Sequence, residues 1–219
     1  KIMVEFNVIA IVFVLQLLVV NGEYIFTDKS GLVSAVNAWI SDKTAATATY
    51  GEINTWGVGQ VTDMSELFMD KTTFNSDISD WDVGSVKNME RMFRSASTFN
   101  QDISGWDVSS VVTMERMFSF ASAFNSKLSG WDVCSVTTMK QMFSSAEDFN
   151  QDISGWNVSG VTNMRDMFEF ASSFNSDISD WDVSSVTNMA GMFFSASAFN
   201  GDISEWNVGS VTTMSWMFS

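Results

Sequence analysis

The apolar residues of this chain recur with a period of 25 residues from Trp56 to the last residue, Ser219. Trp occupies positions 56, 81, 106, 131, 156, 181 and 206, and Phe-Asn pairs begin at 74, 99, 124, 149, 174 and 199. Met recurs in the same register from 64 to 214. A repeat of this length predicts a solenoid, in which each unit buries its apolar face against its neighbours.

One unit, from Ile78 to Phe99, predicts two elements. The pattern I-x-x-W-x-V is typical of a short strand with Trp81 and Val83 on one side. From Val86 onward, apolar residues three or four apart favour a helix or 3-10 turns. We therefore expect an α/β, leucine-rich-repeat-like solenoid whose strands form a parallel sheet opposite a helical or 3-10 side. The Trp residues should be buried in its core.

The segment that opens the chain has a different pattern. Residues 8–20 are apolar except for Gln16, and as a helix they span about 20 Å, less than the roughly 30 Å of a bilayer core. We predict that residues 1–22 are a signal peptide cleaved after Gly22. A retained membrane anchor is the alternative.

Residues 23–52 predict a cap for the repeats. Leu32, Val36 and Trp39 share one helical face, and Thr27 or Asp28 is placed to cap the helix. The repeat domain then covers residues 53–219, about six and a half units. No second cap follows in this sequence, so we expect an end-to-end neighbour at the last unit or a longer chain.

The repeat resembles a known family. The unit F-N-Q-D-I-S-G-W-D-V-S-S-V-x-x-M-x-x-M-F, residues 99–118, is similar to the BspA-like leucine-rich-repeat surface proteins. The lead-in, Phe26-Thr-Asp, Ala35-Val-Asn-Ala-Trp39 and Tyr50-Gly-x-Ile53, resembles the start of algal members. The resemblance covers about residues 24–219. It implies an exported or surface location, adhesion or protein binding, and no catalytic residues.

The resemblance is incomplete at one position. Val86 and its equivalents stand where ordinary leucine-rich repeats place a ladder Asn. Whether Asn100 and its equivalents bond the backbone instead is left open by the sequence.

Composition excludes several kinds of function. With 26 acidic and 11 basic residues, the net charge of −15 opposes nucleic-acid binding. The chain has no His and a single Cys, which excludes His-dependent catalytic triads and intrachain disulfides. Repeated carboxylates also lack the two unlike environments of a glycosidase pair. We expect no enzyme activity and no cofactor.

The acids cluster in the turn and predicted strand of each unit. We interpret them mainly as turn formers that keep the surface soluble. A calcium site is the less favoured alternative for one row, Asp77, Asp102, Asp152, Asp177 and Asp202. The predicted partner contacts are Asp82, Asp107, Asp132, Asp182 and Trp216.

Two further residues are singular. Cys134 replaces Gly or Ser of the other units and is expected to be a lone surface thiol. Asn157-Val-Ser is a candidate N-glycan acceptor.

The function that these features favour is an exported or surface-held module that binds another protein or a surface glycan. The alternative is a structural subunit of a membrane or cell-wall assembly, with residues 8–20 contacting the membrane. A calcium-binding solenoid is a minor alternative.

Overall fold

The computed structural model describes residues 19–20 and 23–219. Strand β1, Val19–Val20, pairs antiparallel with β2, Glu23–Tyr24. Helices α1, Lys29–Ser41, and α2, Lys43–Tyr50, follow, and a 3-10 turn, Ile53–Thr55, leads into the repeats. Apart from the backbone of β1, the predicted signal peptide or anchor, residues 1–22, lies outside the described residues.

Two aspartates define the ends of the helices. Asp28 accepts a hydrogen bond from Gly31 N at 2.8 Å and so caps α1. Asp42 ends α1 and caps α2 by accepting from Ala45 N at 3.0 Å. The buried face of α1 carries Trp39, whose ring meets Trp56 edge-on at 5.9 Å. The helices therefore cover the first Trp of the repeats.

Each following 25-residue unit, here called a coil and named by its Trp, lies in parallel register on the next. Isolated parallel bridges join residues 63, 88, 113, 138, 163, 188 and 213 in succession. The amides of alternate residues then extend the contact: those of Met89, Arg91, Phe93 and Ser95 donate to carbonyls of the Trp106 coil at 2.8–3.1 Å. The intervening amides of Met92, Arg94 and Ala96 close turns within their own coil. Both sets of amides are thus satisfied without a helix or a regular strand.

This arrangement corrects the predicted elements. Residues 78–81 form a turn closed by Trp81 N and Ile78 O, and residues 81–83 belong to no strand, so the strand predicted at I-x-x-W-x-V is wrong. The predicted helical or 3-10 side is also wrong, because Arg91 and Ser95 have φ of 55° and 59°, whereas both the α-helix and the 3-10 helix require negative φ. A series of overlapping four-residue turns, each closed by a bond from the amide of residue i+3 to the carbonyl of residue i, places apolar side chains at the same spacing as a helix. The backbone-to-backbone hydrogen bonds between coils lie in this turn segment and not in the acidic segment, residues 75–84 and their equivalents.

The core consists of aromatic rows that run from coil to coil. Trp81, Trp106, Trp131, Trp156 and Trp181 are each only 3% exposed, which confirms their predicted burial. Trp131, Trp156 and Trp181 stack in turn at 6.5 Å between ring centroids. Two Phe rows stack beside them, as in Phe93–Phe118 at 5.5 Å and Phe99–Phe124 at 6.0 Å.

Polar groups of the core are paired between coils as well. The indole N–H of Trp106 donates to the carbonyl of Ile78 at 3.1 Å, and the other repeat Trp residues from 81 to 206 do the same one coil apart. Asn100 Oδ1 accepts from the amide of Asn125 at 2.9 Å, and this bond repeats from Asn75 to Asn200. The Asn row therefore does bond the backbone, which the sequence left open.

Candidate functional site

Nine aspartates form two exposed rows on the acidic segment, residues 75–84 and their equivalents. The first acidic row comprises Asp77, Asp102, Asp152, Asp177 and Asp202, with Lys127 in the remaining coil. The second acidic row comprises Asp82, Asp107, Asp132 and Asp182, with Asn157 and Asn207 in the other two coils.

Every member of both acidic rows bonds its own turn. Asp102 Oδ1 accepts from Ser104 N at 3.0 Å, and Asp107 Oδ1 accepts from Ser109 N at 3.1 Å. The equivalent bonds recur in the other coils, including those from Ser159 N to Asn157 and from Gly209 N to Asn207. These side chains therefore stabilise the turns, and any role in binding is additional to this one.

The same bonds lower the pKa of several carboxyls. Hydrogen bonds from the hydroxyl and amide of Ser104 hold the pKa of Asp102 below its usual value, and Ser109 does so for Asp107. The pKa is lowered in the same way at Asp132, Asp152, Asp177, Asp182 and Asp202. A donor bonded to the charged form favours ionisation, so these side chains stay negative at neutral pH.

The first acidic row was the candidate for calcium. Within residues 19–20 and 23–219, no group of three or more His, Cys, Asp or Glu side chains is placed to hold a metal ion. Adjacent coils present one carboxylate each, whereas calcium needs six to eight oxygen ligands.

Asn157 lies in the second acidic row, and Cys134 lies beside that row, two residues after Asp132. Cys134 is an exposed free thiol, and its hydrogen bond to Asp132 raises its pKa. Asn157 is exposed, and its Oδ1 accepts from both the amide and the hydroxyl of Ser159. The candidate glycan acceptor is therefore accessible but already engaged in a turn.

A second surface, here called the variable face, lies on the segment that carries the backbone hydrogen bonds between coils. It comprises the positions 9, 10, 13 and 14 residues after each Trp, namely Glu90, Arg91, Arg94 and Ser95 in the Trp81 coil and their equivalents. Unlike the acidic rows, these positions change in charge and size from coil to coil. Trp216, one of the predicted contacts, belongs to this face and is 72% exposed.

Charges on the variable face are paired across coils. Arg91 contacts Glu66 of the preceding coil at 2.9 Å, and Lys140 contacts Glu115 at 2.9 Å. Arg94 lies 3.8 Å from Asp70 and 5.9 Å from the ring of Phe120. The face is thus close to neutral, while the excess negative charge lies on the acidic rows.

The variable face also exposes aromatic rings that the sequence analysis missed. Phe120 is 50% exposed and Phe170 is 46% exposed, and Phe170 meets Phe194 edge-on at 5.4 Å. The signal was present in the sequence: Phe120 and Phe170 replace Ser95, Ser145 and Ser195 of the other coils.

The membrane contact predicted for residues 8–20 falls almost wholly outside the described residues. In the part of the chain that the structure describes, no helix has the length and apolarity to cross a bilayer.

Comparison with known proteins gives one match. A family described as "Mycoplasma protein of unknown function, DUF285" matches residues 37–156 and 126–219. No curated protein and no solved structure matches the chain. The two matched ranges together cover the repeats, α2 and the last part of α1, residues 37–41.

Proposed function

The chain belongs to the DUF285 family, and from this premise we propose that it is an exported, surface-held repeat protein that binds another protein or a surface glycan through its variable face. The proposal includes a leucine-rich-repeat-like solenoid of the BspA-like kind, since stacked coils provide an extended surface. It assigns the chain binding and no catalysis of its own.

One observation carries the proposal. The side chains of the acidic rows recur in most coils, and each accepts a hydrogen bond from the backbone of its own turn. The side chains of the variable face differ from coil to coil. Phe120 and Phe170 each expose about half of an aromatic side chain there. Aromatic residues are enriched where proteins make contacts, because they bury much apolar area at low entropic cost.

The acidic rows have a different part in this proposal. Asp82, Asp107, Asp132 and Asp182 extend the same negative field over several coils, which attracts a basic partner from a distance. Such steering raises the association rate more than the final affinity. We therefore place the main contact on the variable face and long-range attraction on the second acidic row.

The chain offers its own substitutions for a test. Phe120→Ser with Phe170→Ser restores the residue found at Ser95, Ser145 and Ser195, so the double variant should fold. Asp107→Asn with Asp182→Asn is the matched control, because Asn157 and Asn207 make the same turn bond. Both variants and the unaltered protein are applied to an array of purified extracellular proteins and glycans, at low and at physiological salt.

The Ser variant is expected to lose most of the binding, and the Asn variant is expected to keep its affinity with slower association at low salt. An unaltered protein that binds nothing on the array, or a Ser variant that binds equally well, contradicts the proposal.

Export has a separate test. N-terminal sequencing of the protein from its native cells should find a chain that begins after Gly22. A mature protein that retains residues 1–22 favours the structural-subunit alternative instead.

A further inference from the structure

A cavity of about 530 Å³ opens on the variable face across the Trp156, Trp181 and Trp206 coils. Its lining includes Arg165, Asp166, Glu169, Gly191, Phe194 and Trp216. Acidic, aromatic and small residues thus meet at one place, where each neighbouring coil contributes a different side chain.

Gly191 creates the space for this cavity. Its φ is 63°, but Arg91, Arg116, Gln141 and Asp166 have nearly the same φ at the equivalent position, so the backbone does not require glycine there. What glycine provides is room, because a Cβ at position 191 would overlap Oδ1 of Asp166. The long side chains at this position in other coils would fill the cavity.

The carboxylate of Asp166 is held beside that space. The residue is only 9% exposed, and its Oδ2 accepts a hydrogen bond from Arg165 Nε at 3.0 Å. Its Oδ1 faces Gly191 and accepts no hydrogen bond from the residues described. Glu169 is a second acid in the lining, fixed through its Oε2 by the hydroxyl of Ser144 at 3.0 Å. Two carboxylates therefore face one base, and an acceptor is free.

The aromatic residues favour a flat cation over a compact one. Trp216 is 72% exposed and lies across the cavity from Asp166, with Phe194 in the same lining. A guanidinium group stacks on aromatic rings and donates in parallel to carboxylate oxygens, which an ammonium group does less well.

We propose that this cavity binds the guanidinium group of an arginine side chain on the partner protein. The proposal rests on the function assigned above and names the chemistry that one part of the variable face selects. Asp166 Oδ1 accepts from the guanidinium, Glu169 adds negative charge, and Trp216 covers the planar face. Because the rest of the chain is strongly acidic, the same basic partner is attracted from a distance.

The test uses the full chain and a short acetylated Gly-Arg-Gly amide peptide, with the citrulline peptide as its uncharged isostere. Binding is followed by NMR through the indole N–H of Trp216. Among the residues described, this is the one Trp whose indole makes no hydrogen bond to the protein, and Trp216→Phe assigns its resonance. The arginine peptide should shift the Trp216 resonance in a saturable way, and the citrulline peptide should bind at least about tenfold more weakly.

Two variants test the assigned roles. Gly191→Gln fills the cavity with the residue found at position 141 and is expected to abolish the shift. Asp166→Asn should weaken binding about tenfold, since a charge-assisted hydrogen bond is lost. A circular-dichroism melt of each variant checks that it is folded.

Equal binding of the two peptides, or full binding by folded Gly191→Gln, overturns the proposal. The Phe120→Ser, Phe170→Ser variant separates this result from the function itself. Suppose that the unaltered protein binds on the array, that the double Ser variant does not, and that the arginine peptide leaves the Trp216 resonance of the unaltered protein unshifted. The binding function then stands, and the guanidinium site does not.

Discussion

At the scale of single residues, each repeat Trp from Trp81 to Trp206 has two roles. Its ring fills the core, and its indole N–H bonds a carbonyl of the preceding coil, as Trp106 does to Ile78 O at 3.1 Å. Ile78 O also accepts from Trp81 N, so the indole bond is its second. The packing role should therefore dominate the free energy.

Substitution of Trp106 separates the two roles. Trp106→Ala should lower the free energy of unfolding by about 3–5 kcal/mol, as large-to-small core changes do. Trp106→Phe keeps an aromatic ring and loses the bond, so its loss should be smaller, with about 0.5–1.5 kcal/mol due to the hydrogen bond. Urea denaturation measures both values, and equal losses in the two variants would contradict this division.

At the scale of the element, the coil depends on left-handed residues rather than on regular structure. Among the residues that the structure describes, twelve non-glycine residues have positive φ, and all twelve lie at the tenth or fourteenth position after a Trp. These residues turn the chain while alternate amides bond the next coil, so the backbone cost of each is offset by hydrogen bonding between coils.

Ser145 is suited to a test of this backbone requirement. Its φ is 57°, so Ser145→Val places a β-branched residue in the left-handed region and should destabilise the protein by about 1–2 kcal/mol. Ser145→Gly should cost little, because glycine accepts this conformation, as Gly191 does at another left-handed position.

The control is Ser135→Val, the same substitution at an exposed residue outside the left-handed set. Thermal unfolding of the three variants should rank Ser145→Val clearly lowest. A Ser145→Val protein as stable as the Ser135→Val protein would show that the left-handed positions carry no strain.

At the scale of the whole molecule, the acidic rows link stability to pH. Seven aspartates of the acidic rows have a pKa held below the usual value by hydrogen bonds in the folded turns, with Asp107 and Asp182 among them. The unfolded chain therefore binds more protons than the folded one in acid. The stabilisation is present above the unfolded pKa of about 4 and is lost as the pH falls through the folded values.

The melting temperature should accordingly fall as the pH is lowered below about 4. Asp107→Asn with Asp182→Asn keeps both turn bonds and removes two titrating groups, so its melting temperature should fall less steeply over the same interval. Scanning calorimetry at constant ionic strength measures both slopes. Identical slopes would mean that these carboxyls do not link folding to protons.

Calcium provides a further test at this scale. Because the described residues bring no cluster of acids together, millimolar calcium should leave the melting temperature unchanged relative to sodium chloride of equal ionic strength. A rise that a chelator reverses would restore the calcium-binding alternative for the row that starts at Asp77.

The sequence by itself determined the 25-residue register, the buried Trp and Phe rows and the positions of the acids. A repeat that places the same apolar residue in every unit has a single way to bury it, so periodicity alone specifies the core. The α1 cap was equally predictable, since Asp28 and the apolar face of the helix are local signals.

Only the tertiary structure decided how the coil is built and which surface is variable. Apolar spacing of three or four fits both a helix and a series of turns, and the choice between them depends on left-handed residues such as Arg91 and Ser95, whose side chains carry no signal for that conformation. The hydrogen bonds between coils join residues about 25 positions apart, and these bonds place Phe120, Phe170 and the cavity at Gly191 on one face. The sequence named Trp216 but missed its neighbours, because their proximity arises from stacking rather than from local pattern.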